Sequence, residues 1–543
     1  MRNDPIPSWS RRTGNILLLV LPALLLPAWL SIADFDLVDD SYIPMVYARN
    51  LAEGHGIVFY PGGERVEGYT SFLWLVWLTL SGLLHISYTM AAYWTSLVMG
   101  MAGIALAAFL YRQVYHPEAS QRELWWLWPF AAGAAVLCDV SHTAWSASGM
   151  ETTTYAFGLL GLAYALIKPW PVWSTCLFLL LTSLIRPEGL AFGLLVLIYW
   201  YREGIFTKSA IKRFVFIVVL PLGLFFLFRW IYFGYLFPNT FYAKHDFGGL
   251  YLLKRGMEYV TYFFRPRPLF FFAVFALWLE SKSCRTRSGL LWGFALLQIA
   301  LVTAEGGDHF TLHRFLVPAI PFFSILAIRG MDLCAHRLVF GKIKPENKYH
   351  LRLAQGILGI LVLIILPAHG VQLFEFSQDT RCNFAQGARY HLSVVQWTRS
   401  WAKVGLWLKE KYPQGTLIAV INAGAIPYFC ELNCIDMLGL NDVTIAHTPA
   451  RFLDLCHPGH EKSNADYVLK QKPQFIQLFP LLFFMSQPYP KDKLEEMITY
   501  PAQIEMWNDP RFHAEYTYKI EETPMGFIAY FERQFEPQGR DDG

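Results

Sequence analysis

Charge is what this 543-residue sequence has least of: 16% of its residues are Asp, Glu, Lys or Arg, against about 25% in an average soluble domain. Beside a hydrophobic content of 54%, that shortage excludes a wholly soluble chain. The net charge is only +3, and no basic run with interleaved aromatics occurs, which removes nucleic acid as a partner. No small-x-small cleavage site follows the first apolar run, Ile16 to Ala33. That run therefore reads as a retained membrane helix, with Arg11 and Arg12 on the cytoplasmic side, and not as a removed signal. Internal repeats are also missing, and their absence argues against a transporter built from paired halves. The eight cysteines lack metal-ligand spacing. Cys138, Cys176, Cys284 and Cys334 fall in or beside apolar spans as inert thiols. Cys382, Cys430, Cys434 and Cys456 fall in the C-terminal third, where an extracytoplasmic location permits one or two disulfides. Four unpaired core thiols are the alternative.

What the sequence has in excess is aromatic and apolar: 43 Phe, 28 Tyr and 19 Trp, as expected of lipid-facing and interfacial rings. Twelve segments approach the length needed to cross a bilayer: 15–33, 70–86, 91–111, 124–140, 150–167, 171–186, 188–201, 214–233, 268–280, 290–304, 314–330 and 354–370. Lys/Arg-rich stretches at Arg202–Arg213, Lys282–Arg287 and Arg329–Arg352 belong in the cytoplasm. Phe233–Pro268, Glu305–Arg314 and the C-terminal third then lie outside. Twelve crossings would contradict that placement. If 70–86, which carries Thr70, Ser71, Thr79 and Ser81, lies at the interface, about 11 transmembrane helices remain and the sides agree. The expected fold class is thus a polytopic α-helical membrane protein with a C-terminal periplasmic α/β domain. Residues 1–370 form the membrane domain with a first outer loop at 34–69, and residues 371–543 form the soluble part, with strand-like runs at 416–421 and 473–478.

The polar clusters fall almost entirely on that outer face. Asp34, Asp36, Asp39 and Asp40 follow the first helix; then come Arg49, His55, Glu67 and Tyr69. Adjacent carboxylates at a membrane exit are costly unless solvated, paired or used, and a helix cap is the plain structural reading. Glu151 lies in Ser148–Thr152, preceded by Asp139, His142 and Trp145. Arg186–Pro187–Glu188–Gly189 breaks a helix between two apolar spans; broken helices at membrane depth line cavities, whereas an internal ion pair would only fix packing. Asn239 and Lys244 follow Arg229, and Asp308 and His309 precede His313 and Arg314. His309 and His313 stand four apart without the glutamate of a zinc hydrolase, so cavity-lining hydrogen bonds are the better reading than a metal site. Such a mixture suits a substrate with a phosphate and sugar hydroxyls: guanidinium and ammonium groups neutralise phosphate, and a carboxylate can deprotonate a hydroxyl.

The order Asp39–Asp40–Ser41–Tyr42–Ile43, Ala48–Arg49–Asn50–Leu51, Gly54–His55–Gly56 and Glu64–Ser71 resembles the first outer loop of GT-C glycosyltransferases. The nearest group is the mycobacterial terminal β-(1→2)-arabinofuranosyltransferase-like one. Ser148–Thr152, Arg186–Gly189, Pro238–Lys244, Gly306–Asp308 and His313–Pro318 are similar to it, as are Gly424–Tyr428, Ile435–Asp442 and Pro458–Lys462 in the soluble part. The resemblance implies an inverting enzyme of the bacterial inner membrane. Its donor would be a polyprenyl-phosphate sugar, arabinofuranose among the candidates, and its acceptor an extracytoplasmic glycan or glycolipid. It implies Asp39 or Asp40 as general base, and Arg186, Lys244 and Arg314 as holders of the donor phosphate. Glu67, Glu151 and Glu188 would orient hydroxyls or those cations. It assigns no cofactor, is compatible with a divalent metal, and leaves the oligomeric state open. The stretch Cys430–Cys434 departs from the group and would add a local disulfide. A transporter or flippase for lipid-linked saccharides, and a non-catalytic assembly factor, are the competing readings. An alkaline phosphatase fused after the last residue is expected to be active in cells, and one fused within Arg202–Arg213 inactive; the reverse pattern contradicts the assigned sides.

Overall fold

The computed structural model describes residues 8–119, 126–168, 170–244, 248–338, 348–375, 387–450, 459–479 and 483–534. Each of the twelve apolar windows falls on helix. Tyr88–Tyr115, Lys208–Phe233, Lys282–Glu305 and Thr311–Arg337 are long and apolar enough to cross a membrane. Gly249–Phe264 and Pro268–Trp278 together meet the same test but are bent by 93°. Residues Leu19–Ala33, Phe72–Leu83, Leu127–Cys138, Thr152–Ile167, Val172–Ile185 and Gly359–Glu375 make shorter apolar helices. The Gly249–Phe264 helix was not among the expected segments, because Lys254, Arg255 and Glu258 interrupt its apolar run.

Packing divides the chain into two compact units: residues 1–36, 92–225 and 250–392 in one, and 37–91, 226–249 and 393–543 in the other. In the first unit, an apolar helix is buried or lipid-exposed according to its neighbours, since composition alone permits both. Thr311–Arg337 is almost wholly buried, whereas the lower part of Lys208–Phe233 shows Val215, Phe216, Leu220 and Leu224 on its surface. Buried Phe322, Ile325, Leu326 and Ile328 put Ile320–Leu338 at the centre of the bundle. It crosses Ala273–Trp278 so closely that a Cβ on Gly330 would lie 1.8 Å from the Phe272 carbonyl oxygen. Small residues at helix crossings permit this approach in membranes.

The second unit is built on a five-stranded sheet. Its strands are β1 (Leu417–Val420), β2 (Asn433–Asp436), β3 (Phe475–Ile476), β4 (Tyr516–Thr523) and β5 (Gly526–Arg533), in the order β2-β1-β3-β5-β4. β1 runs parallel to β2 and β3, with Val420 opposite Asp436 and Ile418 opposite Phe475. β5 is antiparallel to both β3 and β4. Ala419, Ile435, Ile476, Leu494, Met506, Phe512 and Phe531 pack one buried face. The anticipated strands at 416–421 and 473–478 thus coincide with β1 and β3.

The local disulfide expected across Cys430–Cys434 is not formed: both thiols are free and buried, one ending the Ala425–Cys430 helix and the other in β2. Burial pushes the Cys430 thiol up to about 12, so it behaves as a small apolar group. Cys382 and Cys456 lie outside the described residues. Gly330→Ala is expected to destabilise the protein by about 1–3 kcal/mol, read as a lower thermal midpoint in detergent; an unchanged midpoint contradicts the crossing.

Candidate functional site

Two sets of polar side chains stand out, one in each unit. In the second unit the Asp39–Ala52 helix starts with Asp39 and Asp40 in its first turn, where carboxylates favour the helix dipole. Asp39 does not cap its own helix. Its Oδ1 accepts from the Ala425 N–H at 2.8 Å and its Oδ2 from the Gly424 N–H at 3.2 Å. These amides open the Ala425–Cys430 helix. A Cβ on Gly424 would lie 1.9 Å from the Asp39 carbonyl oxygen, so a larger residue would force the two backbones apart. Asp39 is buried, and desolvation pushes its carboxyl up to about 7 against the two N–H bonds, with the Asp40 charge adding to the rise. Asp40 is only half-buried.

A second connection is a relay of hydrogen bonds. The Asp436 carboxylate accepts from the Leu438 and Asn441 backbone N–H groups and from Asn441 Nδ2. Tyr47 donates its hydroxyl proton to Asn441 Oδ1 at 3.1 Å and accepts from the Gly68 N–H at 3.2 Å. Burial lifts Asp436 to about 6 and Asp442 to about 7. Asn239 Nδ2 donates toward the carbonyls of Gly439, Leu440 and Asp442. Glu64 accepts from the Val443 N–H at 2.8 Å. Glu67 pairs with Arg229 at 2.7 Å, both fully buried. Arg49 donates to the Tyr428 carbonyl at 2.7 Å and pairs with Glu431 at 3.4 Å. Tyr69 is buried with its ring 5.2 Å from Tyr47. Lys244 lies beside Gly459, half-buried, without an ion pair among the described residues. His55 is exposed beside Glu53, apart from this network.

In the first unit the Val172–Ile185 helix stops at Arg186, because Pro187 cannot continue its hydrogen-bond ladder. Arg186 binds Glu151 at 3.1 Å and Glu188 at 2.7 Å. Its guanidinium stacks on Phe315 at 4.5 Å. Arg314 stacks on Phe315 at 4.9 Å, pairs with Asp308 at 2.6 Å and donates to Met150 Sδ. His309 Nδ1 lies 3.4 Å from Asp308. Phe315 therefore brings Glu151, Arg186, Glu188, Asp308, His309 and Arg314 together. His313 is buried against Tyr259 and Phe263, with ring centroids 4.9 and 5.7 Å away. Its φ of 51°, after 59° at Leu312, places two consecutive non-glycine residues in the left-handed region. Such strain persists only where surrounding packing enforces it.

Reading the sequence missed Arg267, which is buried and bidentate to Asp139 with a third bond to the Ser141 hydroxyl. The signal was present: Arg267–Pro268 repeats the Arg–Pro break of Arg186–Pro187. It missed as well that Arg229 is the partner of Glu67, and that Phe315 is the shared platform. Among the described residues, no three His, Cys, Asp or Glu side chains are grouped to hold a metal ion.

A family model described as a domain of unknown function (DUF8728) matches residues 388–521. No curated protein matches the chain. Crystal structures of ArnT from Cupriavidus metallidurans share its fold. The form bound to undecaprenyl phosphate has a TM-score of 0.54 and 14% identity, over 96% of this chain and 98% of that one. The apo form has a TM-score of 0.53 and 13% identity over the same shares.

Asp39 makes a pH prediction. An unfolded chain releases the proton near its ordinary 3.8, while the folded protein keeps it to about 7. Stability contributed by this group is therefore full below pH 4, falls as pH rises toward 7, and is level beyond. Asp39→Asn, with no proton to lose, is expected to flatten the fall of thermal midpoint between pH 5 and 7, by up to about 1 kcal/mol per pH unit. Asp436 and Asp442 act with the same sign and preserve the remainder. An unchanged slope contradicts the assignment.

The chain is thus a mostly helical protein, with several helices apolar enough to cross a membrane and a small C-terminal sheet domain, and it shares its fold with ArnT.

Proposed function

We propose that the chain is an integral-membrane, inverting glycosyltransferase that uses a polyprenyl-phosphate sugar and an extracytoplasmic glycan or glycolipid acceptor. The observation that carries this reading is the unequal treatment of two adjacent carboxylates. Asp39 is buried on the backbone N–H groups of Gly424 and Ala425, and Asp40, one residue on, is the more accessible of the two at the helix start. That accessibility to an acceptor hydroxyl makes Asp40 the proposed base and Asp39 its positioning neighbour. The likeness in fold to ArnT in complex with undecaprenyl phosphate supports a lipid-linked donor.

In the reaction, Asp40 takes the proton of an acceptor hydroxyl as its oxygen attacks the anomeric carbon. The new glycosidic bond forms while the bond from that carbon to the phosphate oxygen breaks. Polyprenyl phosphate leaves with the electron pair, and a single displacement inverts the centre. Lys244 is the first choice for the leaving phosphate, because it carries no ion pair among the described residues. Arg186 and Arg314 already carry carboxylate partners, so either would bind phosphate in competition with them. Glu67 holds Arg229, and Glu151 and Glu188 hold Arg186, which makes all three orienting groups. The motif resemblance makes arabinofuranose one candidate donor sugar. The site of action is the bacterial inner membrane with the sheet domain outside.

Purified protein in lipid, given a panel of polyprenyl-phosphate sugars and a glycolipid extract, is expected to consume one donor. Asp40→Asn should lower kcat by about 10²- to 10⁴-fold, while Asp39→Asn lowers the yield of folded protein more than the rate per folded molecule. No donor consumed, or equal rates for the parent and Asp40→Asn, rejects the proposal.

A further inference from the structure

The sheet domain carries a cleft that none of these assignments uses. It has a volume of about 800 Å³ and is lined by Glu495, Ile498, Trp507, Asn508, Pro510 and His513. All six fall within the matched stretch of unknown function.

Trp507 is half-buried and held from several sides. Its ring packs against Phe479, Phe512 and Phe531, with centroids 6.0, 6.4 and 6.3 Å away. Its indole N–H donates to Glu495 Oε1 at 3.2 Å. Its carbonyl accepts from His513 Nε2 at 2.7 Å, and the imidazole stands at 85° to the indole. A carbonyl only accepts, so Nε2 is the donor in this contact. Glu495 retains its second oxygen as an acceptor, and exposed Asn508 supplies both donor and acceptor. Pro510 and Ile498 add saturated carbon surface.

A fixed aromatic ring bordered by separate hydroxyl-seeking groups recognises a particular chemistry. The C–H face of a sugar ring stacks on the indole while its hydroxyls reach the carboxylate, amide and imidazole. Among the described residues, no lysine or arginine lines the cleft, which disfavours a phosphate ligand. Its borders are the helical turns Lys491–Met497, Pro501–Asn508 and Pro510–Glu515 and not a strand, so no free sheet edge is offered to a peptide. We infer that this cleft binds a neutral saccharide unit of the acceptor glycan. Identifying the ligand as the acceptor rests on the transferase reading; the saccharide site itself does not.

The test uses the full-length protein in lipid nanodiscs, with titration calorimetry against neutral arabino-, manno-, xylo- and gluco-oligosaccharides from tetramer to hexamer. At least one series should bind, and Trp507→Ala should weaken it about tenfold, the scale of one aromatic stacking contact. Asn508→Ala and His513→Ala, at exposed positions, should each weaken it about threefold without loss of fold. No binding by the parent, or unchanged binding in Trp507→Ala and Asn508→Ala, overturns the site. Binding that depends on Trp507 in a protein that transfers no sugar keeps the cleft and rejects the transferase. Transfer without any Trp507-dependent binding does the opposite.

Discussion

A carboxylate seated on the two amides that open a helix ties this protein's second unit together. Residues 39 and 425 are far apart in the chain, yet Asp39 bonds the N–H groups of Gly424 and Ala425. Such hydrogen bonds contribute about 0.5–1.5 kcal/mol each, and the desolvation that raises the carboxyl keeps it protonated below about pH 7. The Tyr47–Asn441–Asp436 relay, the Asn239 amide and Glu64 join the same segments at other points. Residues 37–69 are therefore part of the sheet domain's packing, and their second aspartate is presented from a fixed helix start. A reacting group gains most when its support is rigid.

Elsewhere the same economy of charge holds. In an apolar chain a buried guanidinium must be paired, because leaving it alone costs several kcal/mol. Arg186, Arg267, Arg314 and Arg329 each face carboxylates, and each also stacks on an aromatic ring. Arginine suits this use because its planar group satisfies an acid edge-on and a ring face-on at once. The Arg329–Glu280–Asp332 cluster is built in the same way although it includes none of the residues considered for the reaction. Burial of a charge in this protein is thus no evidence of chemistry by itself.

Much of the fold was legible because long apolar runs and short β-branched strands announce themselves locally. The 314–330 part of Thr311–Arg337 and β1 needed only composition and flanking turns. The Gly249–Phe264 helix was hidden by its charges, and the free thiols of Cys430 and Cys434 could not be told from a disulfide by spacing. At the candidate site, residue types were legible and partnerships were not. Asp39 and Asp40 look alike in sequence, and only the remote amides of Gly424 and Ala425 distinguish them. Phe315, an ordinary apolar residue in a run of others, carried no sign that two guanidiniums share it.

Amide hydrogen exchange at Gly424 and Ala425 tests the division of labour between the aspartates most directly. The account predicts that both amides are slowed in the parent, equally slowed in Asp40→Asn, and fast in Asp39→Ala. Fast exchange in Asp40→Asn, or continued protection in Asp39→Ala, would contradict it.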